Sequence, residues 1–459
     1  MQTPPLQTIA QAAEALSMGA TTARALIEAC LERIQDPGGE GTRVFVRVYA
    51  EAARASADAM DALRKVNRHP GAFAGIPISL KDLFDVAGET TAAGSKALHQ
   101  AKPAVAHAVV VQRLLAAGFV PMGRTNMTEF AFSGIGINPH FGTPKGAWDR
   151  GAGVAGKTDL GHVPGGSSSG AGVSVADGMA FMGLGTDTGG SCRIPAAFNG
   201  VVGYKPTARR VPITGVLPLS PSLDSVGPLA RSVQCCATVD AILAAETPRA
   251  VPAMALRGLR LAVPANFVMD GMDATTAAAF SRALNRLDNL GVRITHLAFP
   301  QFEAINKANA SGGFAAAEAH AWHRALLADQ ATVYDQRVRS RIERGRGMTA
   351  GDYITLMQDR ARIIADFDEA AAPYDAIALP TSPIAPPTIA SLTDDADFNR
   401  VNALVLRNCA LFNFLDRCSI SLPAHRAGEA PAGLMLVGPT MGDARLFALA
   451  NAIEPILKE

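Results

Sequence analysis

The 459-residue chain lacks an excess of charge of either sign, because 42 Lys and Arg residues stand against 41 Asp and Glu residues. This balance argues against a dedicated nucleic-acid-binding protein, which normally carries a strongly basic face. Hydrophobic residues make up 48% and charged residues 18%, far from the composition of chains that stay disordered. The sequence therefore predicts a folded protein without a nucleic-acid partner.

The sequence also lacks long apolar runs. Its most apolar stretch, residues 105–120, is interrupted by Gln112, Arg113 and Gly118. It falls short of the ~18 to 20 apolar residues that a membrane-spanning helix needs. The first ten residues show no charged segment followed by an apolar one, so we expect no secretory signal. These absences predict a cytoplasmic protein that does not associate with a membrane.

Cysteine is scarce, with six residues and no CxxC pair. A chain of this length can fold without disulfide bonds, so we expect reduced thiols that pack as small apolar groups in the core. Cys235 and Cys236 are adjacent within a predicted helix, 232–245, where neighbours point to different faces. The sequence predicts no metal site and no cofactor.

Helix and strand signals alternate, which favours an α/β sheet covered by helices. Thr21 is a plausible N-cap of the second helix, and the apolar run 75–80 after a glycine predicts a buried strand. Further strands are predicted at 259–264, 418–422 and 432–437, and residues 375–387 are predicted to be a strand that runs into a proline-rich loop. Helices are predicted at 8–16, 22–34, 50–66, 105–117, 274–290, 300–327 and 443–453, with a charged helical region continuing to 362.

Between Gly134 and Gly227, glycine, serine, threonine and proline crowd together and amphipathic patterns largely disappear. Hydrophobic residues are interleaved throughout, unlike a low-complexity linker. Glycine lets backbone approach backbone or substrate closely. We therefore expect a buried, loop-rich functional centre in this region.

Three features of the sequence could carry chemistry. Lys81 directly follows a buried strand, where desolvation would lower its pKa and turn it into a proton acceptor; a lysine that reaches solvent is the alternative. The run GGSSSG, 165–170, could be a linker or a phosphate-binding loop, although GxxxxGK[ST] is absent. In GTDTGGSCR, 185–193, a glycine pair precedes Ser191, so backbone amides could hold an oxyanion while the serine attacks a carbonyl.

A serine nucleophile needs a base, and histidine is the usual one. His140, His162 and His425 lie in loop-like segments and stay open as candidates, although no GxSxG motif is present. A neutral lysine with a relaying serine could perform the same function.

These motifs resemble the amidase signature family in long ordered blocks. The blocks are 75–95, 123–134, 164–178, 185–207 and 217–233, with a C-terminal match at 422–438. The resemblance implies an α/β fold in which residues 1–459 form a single large domain, with a central mixed β-sheet covered by helices. The core of the resemblance is about 75–233.

The resemblance also implies a Ser-cisSer-Lys triad. Lys81 would be the base, Ser167 the cis-serine and Ser191 the nucleophile. The implied oxyanion hole consists of the backbone amides of Thr188, Gly189, Gly190 and Ser191. Asp187 and Arg193 resemble the family's structural ion pair, and Cys192 is a rival nucleophile that the motif position disfavours.

One segment departs from the family pattern. Residues 149–164, immediately before the predicted cis-serine, are longer than the family's usual link. This is either a tolerated surface insertion or a loop that places Lys157 or His162 at the mouth of the site. Similarly, the arginines between 337 and 346 could meet an acidic substrate, although a solvated helix face is the more ordinary interpretation.

The leading hypothesis is an amidohydrolase that cleaves a small-molecule carboxamide through a serine acyl-enzyme and releases ammonia or an amine. One alternative is the glutaminase subunit of a tRNA-dependent amidotransferase, which GGSSSG in place of a GGSSGG-like run mildly disfavours. Another is a noncatalytic scaffold, against which the joint presence of Lys81, Ser167 and Ser191 argues. The resemblance is compatible with a homodimer, and the sequence does not name the amide substrate.

Overall fold

The computed structural model describes residues 8–151, 161–252 and 254–458. Within these residues one mixed sheet has eleven strands in the spatial order β1-β3-β2-β4-β6-β5-β10-β11-β9-β7-β8. The strands are β1 (Phe45–Val48), β2 (Pro77–Lys81), β3 (Val120–Thr125), β4 (Met182–Thr186), β5 (Val202–Lys205), β6 (Val226–Ala230), β7 (Arg260–Pro264), β8 (Arg293–Leu297), β9 (Ala376–Pro380), β10 (Ser419–Pro423) and β11 (Gly433–Val437).

The described residues also form α-helices, several of which pack against this sheet. They are α1 (Ile9–Ser17), α2 (Ala23–Gln35), α3 (Gly41–Val44), α4 (Ala50–Lys65), α5 (Val109–Ala116), α6 (Ser169–Ala176), α7 (Arg193–Asn199), α8 (Val233–Leu243), α9 (Ala274–Asn289), α10 (Gln301–Ala308), α11 (Gly313–Gln330), α12 (Gln336–Glu343), α13 (Ala350–Ala371), α14 (Asp395–Phe414) and α15 (Asp443–Lys458). The predicted fold class, a mixed sheet covered by helices, is confirmed.

The strands that position the site lie at the centre of the sheet. β2 pairs in parallel with both β3 and β4, and every residue of β2 and β4 is buried. Strands buried on both faces read as continuous apolar runs, which is why the run 75–80 predicts β2. Because β2 and β4 are parallel, their carboxyl ends meet at the same edge of the sheet.

Two local predictions are wrong. Thr22, not Thr21, caps α2, since its side chain accepts a hydrogen bond from Ala25 N. The helix predicted over 300–327 is two helices, α10 and α11, separated by Gly312 and Gly313. Both glycines have positive φ angles of 114° and 63°, which an L-residue rarely adopts, so the chain turns there.

The region 134–227 contains more regular structure than its composition predicts. It includes α6, β4, α7 and β5. Seven of the eight residues of α6 are buried, as is all of α7. A helix buried on all sides does not need an amphipathic pattern, which explains the missing periodicity. The prediction of a buried, loop-rich centre is confirmed, since most described residues of this region lie outside helices and strands.

All six cysteines are buried free thiols, as expected. Among the helices of the described residues, none is long and apolar enough to cross a membrane. Lys157, in the segment longer than the family's, lies outside the described residues, whereas His162 is buried and its Nδ1 lies 2.6 Å from Pro386 O.

Candidate active site

Lys81 is the last residue of β2, and its side chain is fully buried. Its Nζ donates hydrogen bonds to Ser167 Oγ at 2.8 Å and to Thr186 Oγ1 at 2.7 Å. Thr186 is the last residue of the neighbouring parallel strand β4. The pairing of β2 with β4 therefore brings Lys81 and Thr186 close together. The alternative of a lysine that reaches solvent is therefore wrong.

Burial lowers the pKa of Lys81 to about 8 from an ordinary value of 10.5, because an ammonium ion loses its hydration inside the protein. The carboxylates of Asp187 and Asp224 partly oppose this shift. A lysine with this pKa is neutral in about a tenth of molecules at pH 7, far more than an ordinary lysine. It can therefore accept a proton from a hydroxyl within hydrogen-bonding distance.

Ser167 lies in the turn that leads into α6. The peptide bond between Gly166 and Ser167 is cis, and Ser167 O accepts a hydrogen bond from Thr128 N at 3.1 Å. A Cβ on Gly166 would lie 2.6 Å from Gly136 N, so the backbone packs too closely there for any side chain. The GGSSSG run is thus a tightly packed buried segment rather than a flexible linker.

Ser191 lies in the loop between β4 and α7 and lines a cavity of about 230 Å³. Ser168 N donates to Ser191 O at 3.3 Å, which joins this loop to the segment that carries Ser167. The structure therefore brings the predicted lysine and both predicted serines to one place, at the carboxyl ends of β2 and β4.

A buried ion pair holds the loop that carries Ser191. Arg193 Nη2 lies 2.8 Å from Asp187 Oδ1, with both side chains inaccessible to solvent. Asp187 also accepts hydrogen bonds from Gly190 N at 2.8 Å and Cys192 N at 3.1 Å. Burial alone would raise the pKa of Asp187, but the adjacent Arg193 guanidinium holds it well below its usual range. The expectation of a structural ion pair is confirmed.

The backbone amides of this loop have different partners. Gly190 N is occupied by Asp187, whereas in the described part of the chain the amides of Thr188, Gly189 and Ser191 donate to no protein acceptor. These three residues line the cavity. Of the four predicted oxyanion donors, Gly190 is therefore the one whose amide is already used in the fold.

Two residues that support this loop were missed by the sequence analysis. Asn413 Nδ2 donates to Asp187 Oδ1 at 2.9 Å, and Asn413 Oδ1 accepts from Arg193 at 2.7 Å. Asp224 accepts a hydrogen bond from the Thr188 hydroxyl, and burial raises the pKa of Asp224 to about 6. Asp224 lies within the matched block 217–233, whereas an asparagine in a helical stretch gives no signal.

Helix α14 reaches the site along one face. Asn402, Leu406, Ala410 and Asn413 follow one another at the three- and four-residue spacing of a helix face. Asn402 Oδ1 accepts hydrogen bonds from Ser133 Oγ and Gly134 N, and Leu406 and Ala410 line the cavity. The cavity is thus closed by a helix more than 200 residues from Ser191.

The histidines considered as alternative bases lie away from the cavity, and Cys192, the rival nucleophile, is unreactive. His140 Nε2 lies 2.8 Å from Glu129, His162 bonds to a backbone carbonyl, and His425 packs beside Gly200; none of the three histidines lines the cavity. Cys192 is fully buried, and burial raises the pKa of its thiol, so it stays protonated.

The arginines of α12 and the turn after it do not line the cavity either. Arg337 and Arg341 are partly buried and stack on Phe398, whereas Arg344 and Arg346 are exposed. The interpretation as a solvated face therefore holds for only part of this group.

The Amidase family model matches residues 25–447. Together with the sequence and structural relatives, this match shows that the chain belongs to the Amidase family and is a hydrolase of C–N amide bonds. The chain is 35% identical over 418 residues to the 2-amino-5-chloromuconic acid deaminase of Comamonas testosteroni, covering 88% of this chain and 86% of that protein.

Other relatives cover nearly the entire chain. A glutamyl-tRNA(Gln) amidotransferase subunit of Chromohalobacter salexigens is 32% identical, over 98% of this chain and 96% of that protein. A crystal structure of an amidase superimposes with a TM-score of 0.87 at 31% identity, covering 98% of this chain and 99% of that one. The glutamyl-tRNA(Gln) amidotransferase subunit from Thermotoga maritima superimposes with a TM-score of 0.75 at 27% identity, covering 97% and 94%.

Proposed function

We propose that the protein hydrolyses a small-molecule carboxamide through an acyl-enzyme on Ser191 and releases ammonia or an amine. The observation that carries this proposal is the 2.8 Å hydrogen bond between Lys81 Nζ and Ser167 Oγ, inside a water-excluded site next to Ser191. A buried lysine with a lowered pKa can act as a base where a solvated lysine cannot.

In the proposed reaction, neutral Lys81 takes the proton of Ser167, and Ser167 takes the proton of Ser191. The Ser191 oxygen forms a bond to the amide carbon, and the carbonyl oxygen becomes an oxyanion. The unpaired amides of Gly189 and Ser191, with that of Thr188 beside them, are placed to stabilise this charge. The Gly190 amide contributes through its bond to Asp187, which shapes the loop.

The tetrahedral intermediate then collapses as the C–N bond breaks. The leaving nitrogen takes a proton back from the Ser167–Lys81 pair, and the acyl group stays on Ser191. Water, deprotonated by the same pair, attacks the acyl ester and regenerates the free serine.

The glutaminase subunit of a tRNA-dependent amidotransferase is the second candidate, favoured by 32% identity to one such protein over nearly the full chain. The GGSSSG run disfavours it. A standalone hydrolase should turn over simple amides when purified, whereas a glutaminase that works only within a complex should be poor at releasing ammonia from glutamine alone. A homodimer stays a prediction, to be checked by light scattering on the same preparation.

The test is ammonia release by the purified protein from glutamine, an aryl amide, malonamide and a urea-type compound. We expect turnover of at least one amide, lost by at least ~10³-fold in Ser191→Ala and Lys81→Ala. The matched control is Ser169→Ala, since the Ser169 hydroxyl is buried near the site but donates to Asn126 O at 3.3 Å. Turnover that survives Ser191→Ala would reject the proposed nucleophile.

A further inference from the structure

The cavity next to Ser191 is apolar away from the reacting serine. Its walls include Leu219, Leu223, Phe314, Leu406, Ala410 and Phe414. The turn between α10 and α11, at Gly312 and Gly313, sets Phe314 into this wall. The acyl part of an amide held at Ser191 would therefore lie against carbon atoms.

Two of the polar side chains that line the cavity are hydrogen-bonded to other groups of the protein. The Ser133 hydroxyl donates to Asn402 Oδ1 at 2.8 Å and accepts from Ile135 N, and the Thr188 hydroxyl donates to Asp224. Among the described lining residues, Asn309 is the other polar side chain apart from Ser191, and its amide is neutral. The described lining thus offers a ligand the hydroxyl of Ser191 and the neutral amide of Asn309.

No charged side chain lines the cavity within residues 8–151, 161–252 and 254–458. Two arginines contact residues of the cavity wall without lining the cavity themselves. Arg360 stacks on Phe314 from outside the cavity, 5.3 Å from the ring centre, and its three guanidinium nitrogens donate to backbone carbonyls. Arg341 donates to Phe132 O and to the side chain of Asn399. Both guanidiniums are thus hydrogen-bonded within the protein, and neither lines the cavity.

A carboxylate or ammonium ion held against these apolar walls would lose water without gaining a charged partner, which is unfavourable. Glutamine carries both groups. A neutral apolar group suffers no such loss, and an apolar cavity of ~150 Å³ in a protein interior is already large enough for benzene. At about 230 Å³, this cavity has room for an aromatic ring together with the reacting carboxamide.

We propose that the enzyme selects neutral amides with an apolar acyl group about the size of a phenyl ring, and rejects amides whose acyl group is charged. This inference rests on the proposed reaction at Ser191. This specificity would separate the protein from a glutaminase. It would also separate the protein from enzymes that act on acids, such as the Comamonas testosteroni relative, which is named as a deaminase of 2-amino-5-chloromuconic acid.

The direct test compares 4-methylbenzamide with 4-carbamoylbenzoate, which differ in charge at similar size, and includes glutamine. We expect kcat/KM to be at least ~100-fold higher for 4-methylbenzamide than for either charged amide, because desolvating an unpaired charge opposes binding. Equal or greater kcat/KM for 4-carbamoylbenzoate would overturn the proposed specificity.

A charge placed in the wall should reverse part of this preference. In Leu223→Arg the guanidinium would meet the carboxylate, and the ratio of kcat/KM for 4-carbamoylbenzoate over 4-methylbenzamide should rise at least ~10-fold. The control is Ile354→Arg, on an exposed position of α13, for which the ratio should not change. An unchanged ratio in folded Leu223→Arg would contradict the placement of the acyl group.

A size change provides a second variant should Leu223→Arg fail to fold. Ala410→Leu would fill part of the cavity from α14 and should lower kcat/KM for 4-methylbenzamide at least ~10-fold more than for acetamide. An equal loss for both amides would contradict the inference.

Protection of Ser191 distinguishes failure of the reaction from failure of the specificity. Phenylboronic acid bonds to an activated serine oxygen, with the serine proton passing to the base, and should block fluorophosphonate labelling of Ser191. 4-Carboxyphenylboronic acid should need at least ~100-fold higher concentration. If both acids protect equally, only the specificity is overturned; if fluorophosphonate never labels Ser191, the proposed reaction fails and the inference fails with it.

Discussion

At the scale of single residues, the hydrogen-bond partners of Lys81 distinguish it from another buried lysine, whereas its burial does not. Lys205 is also buried at the end of a strand, and burial lowers its pKa too. However, Lys205 Nζ donates to the carbonyl oxygen of Pro206, which has no proton to give. Lys81 instead meets two hydroxyls, one of them on Ser167. The contrast supports Lys81, rather than Lys205, as the proposed base.

The pKa of Lys81 predicts the pH dependence of the reaction. Below pH 8 the side chain is mostly the ammonium ion, which cannot accept a proton, so kcat/KM should fall about tenfold for each pH unit below this value. Above pH 8 neutral lysine predominates, and kcat/KM should level off. The measurement is a kcat/KM profile from pH 6 to 10.

Lys205→Met is the control for this profile. The pH below which its kcat/KM falls should stay near 8. A value near 6.5, typical of an ordinary histidine, would contradict Lys81 as the base.

The Asp187–Arg193 ion pair should be important for stability because both groups are inaccessible to water. Asp187→Asn would leave the Arg193 guanidinium buried without a counter-charge, and we expect a loss of about 3–5 kcal/mol in the free energy of unfolding. Urea denaturation measures this loss. The matched control is Asp359→Asn, which removes the partner of the largely exposed Arg362 and should cost less than ~1 kcal/mol. Similar losses in the two variants would contradict this role.

At the scale of elements, the loop between β4 and α7 depends on a single glycine of its pair. Gly190 has a φ of 129°, and a Cβ there would lie 2.5 Å from Ile194 Cδ1 and 2.6 Å from Cys409 Cβ. Gly189→Ala would instead place a methyl group no closer than 3.7 Å to Leu406. The structure therefore has room for a methyl group at Gly189 but not at Gly190.

We therefore expect Gly190→Ala to lower the free energy of unfolding by at least ~2 kcal/mol through strain and overpacking. Gly189→Ala should stay within ~1 kcal/mol of the parent protein. Urea denaturation of both variants checks this. A stable Gly190→Ala protein would show that the loop does not need its left-handed residue.

The sequence predicts well those elements whose hydrophobic pattern indicates which residues are buried. β2, β7 and β10 are short apolar runs, and α4 and α9 have the spacing of half-buried helices. The break between α10 and α11 is not predicted, because it depends on two positive φ angles in an otherwise helical composition. The buried helices α6 and α7 are not predicted, because burial on all sides leaves no amphipathic periodicity.

At the scale of the whole molecule, the site joins segments far apart in the chain. Lys81 and Ser191 lie at the centre of the sheet, while Asn413 comes from α14 near the C-terminus. Motif resemblance identifies the first two, because their neighbours form ordered blocks. It cannot identify Asn413, whose role depends on packing across more than 200 residues. The same limit applies to the cavity walls contributed by α11 and α14.

Relatives of similar overall length include both a deaminase and amidotransferase subunits. The shared fold and family therefore do not choose the substrate; the lining of the cavity does. From the stretch between α10 and α13, the cavity wall takes the turn around Gly312 and the start of α11.

The central claim is that Lys81, through Ser167, activates Ser191 as the nucleophile. The most direct measurement is fluorophosphonate labelling of the purified protein, with the modified residue located by mass spectrometry. We expect a single adduct on Ser191 in the parent protein and in Ser169→Ala. Labelling should be at least ~100-fold slower in folded Lys81→Met and Ser167→Ala. An adduct on another residue, or undiminished labelling of Ser191 in Lys81→Met, would contradict this claim.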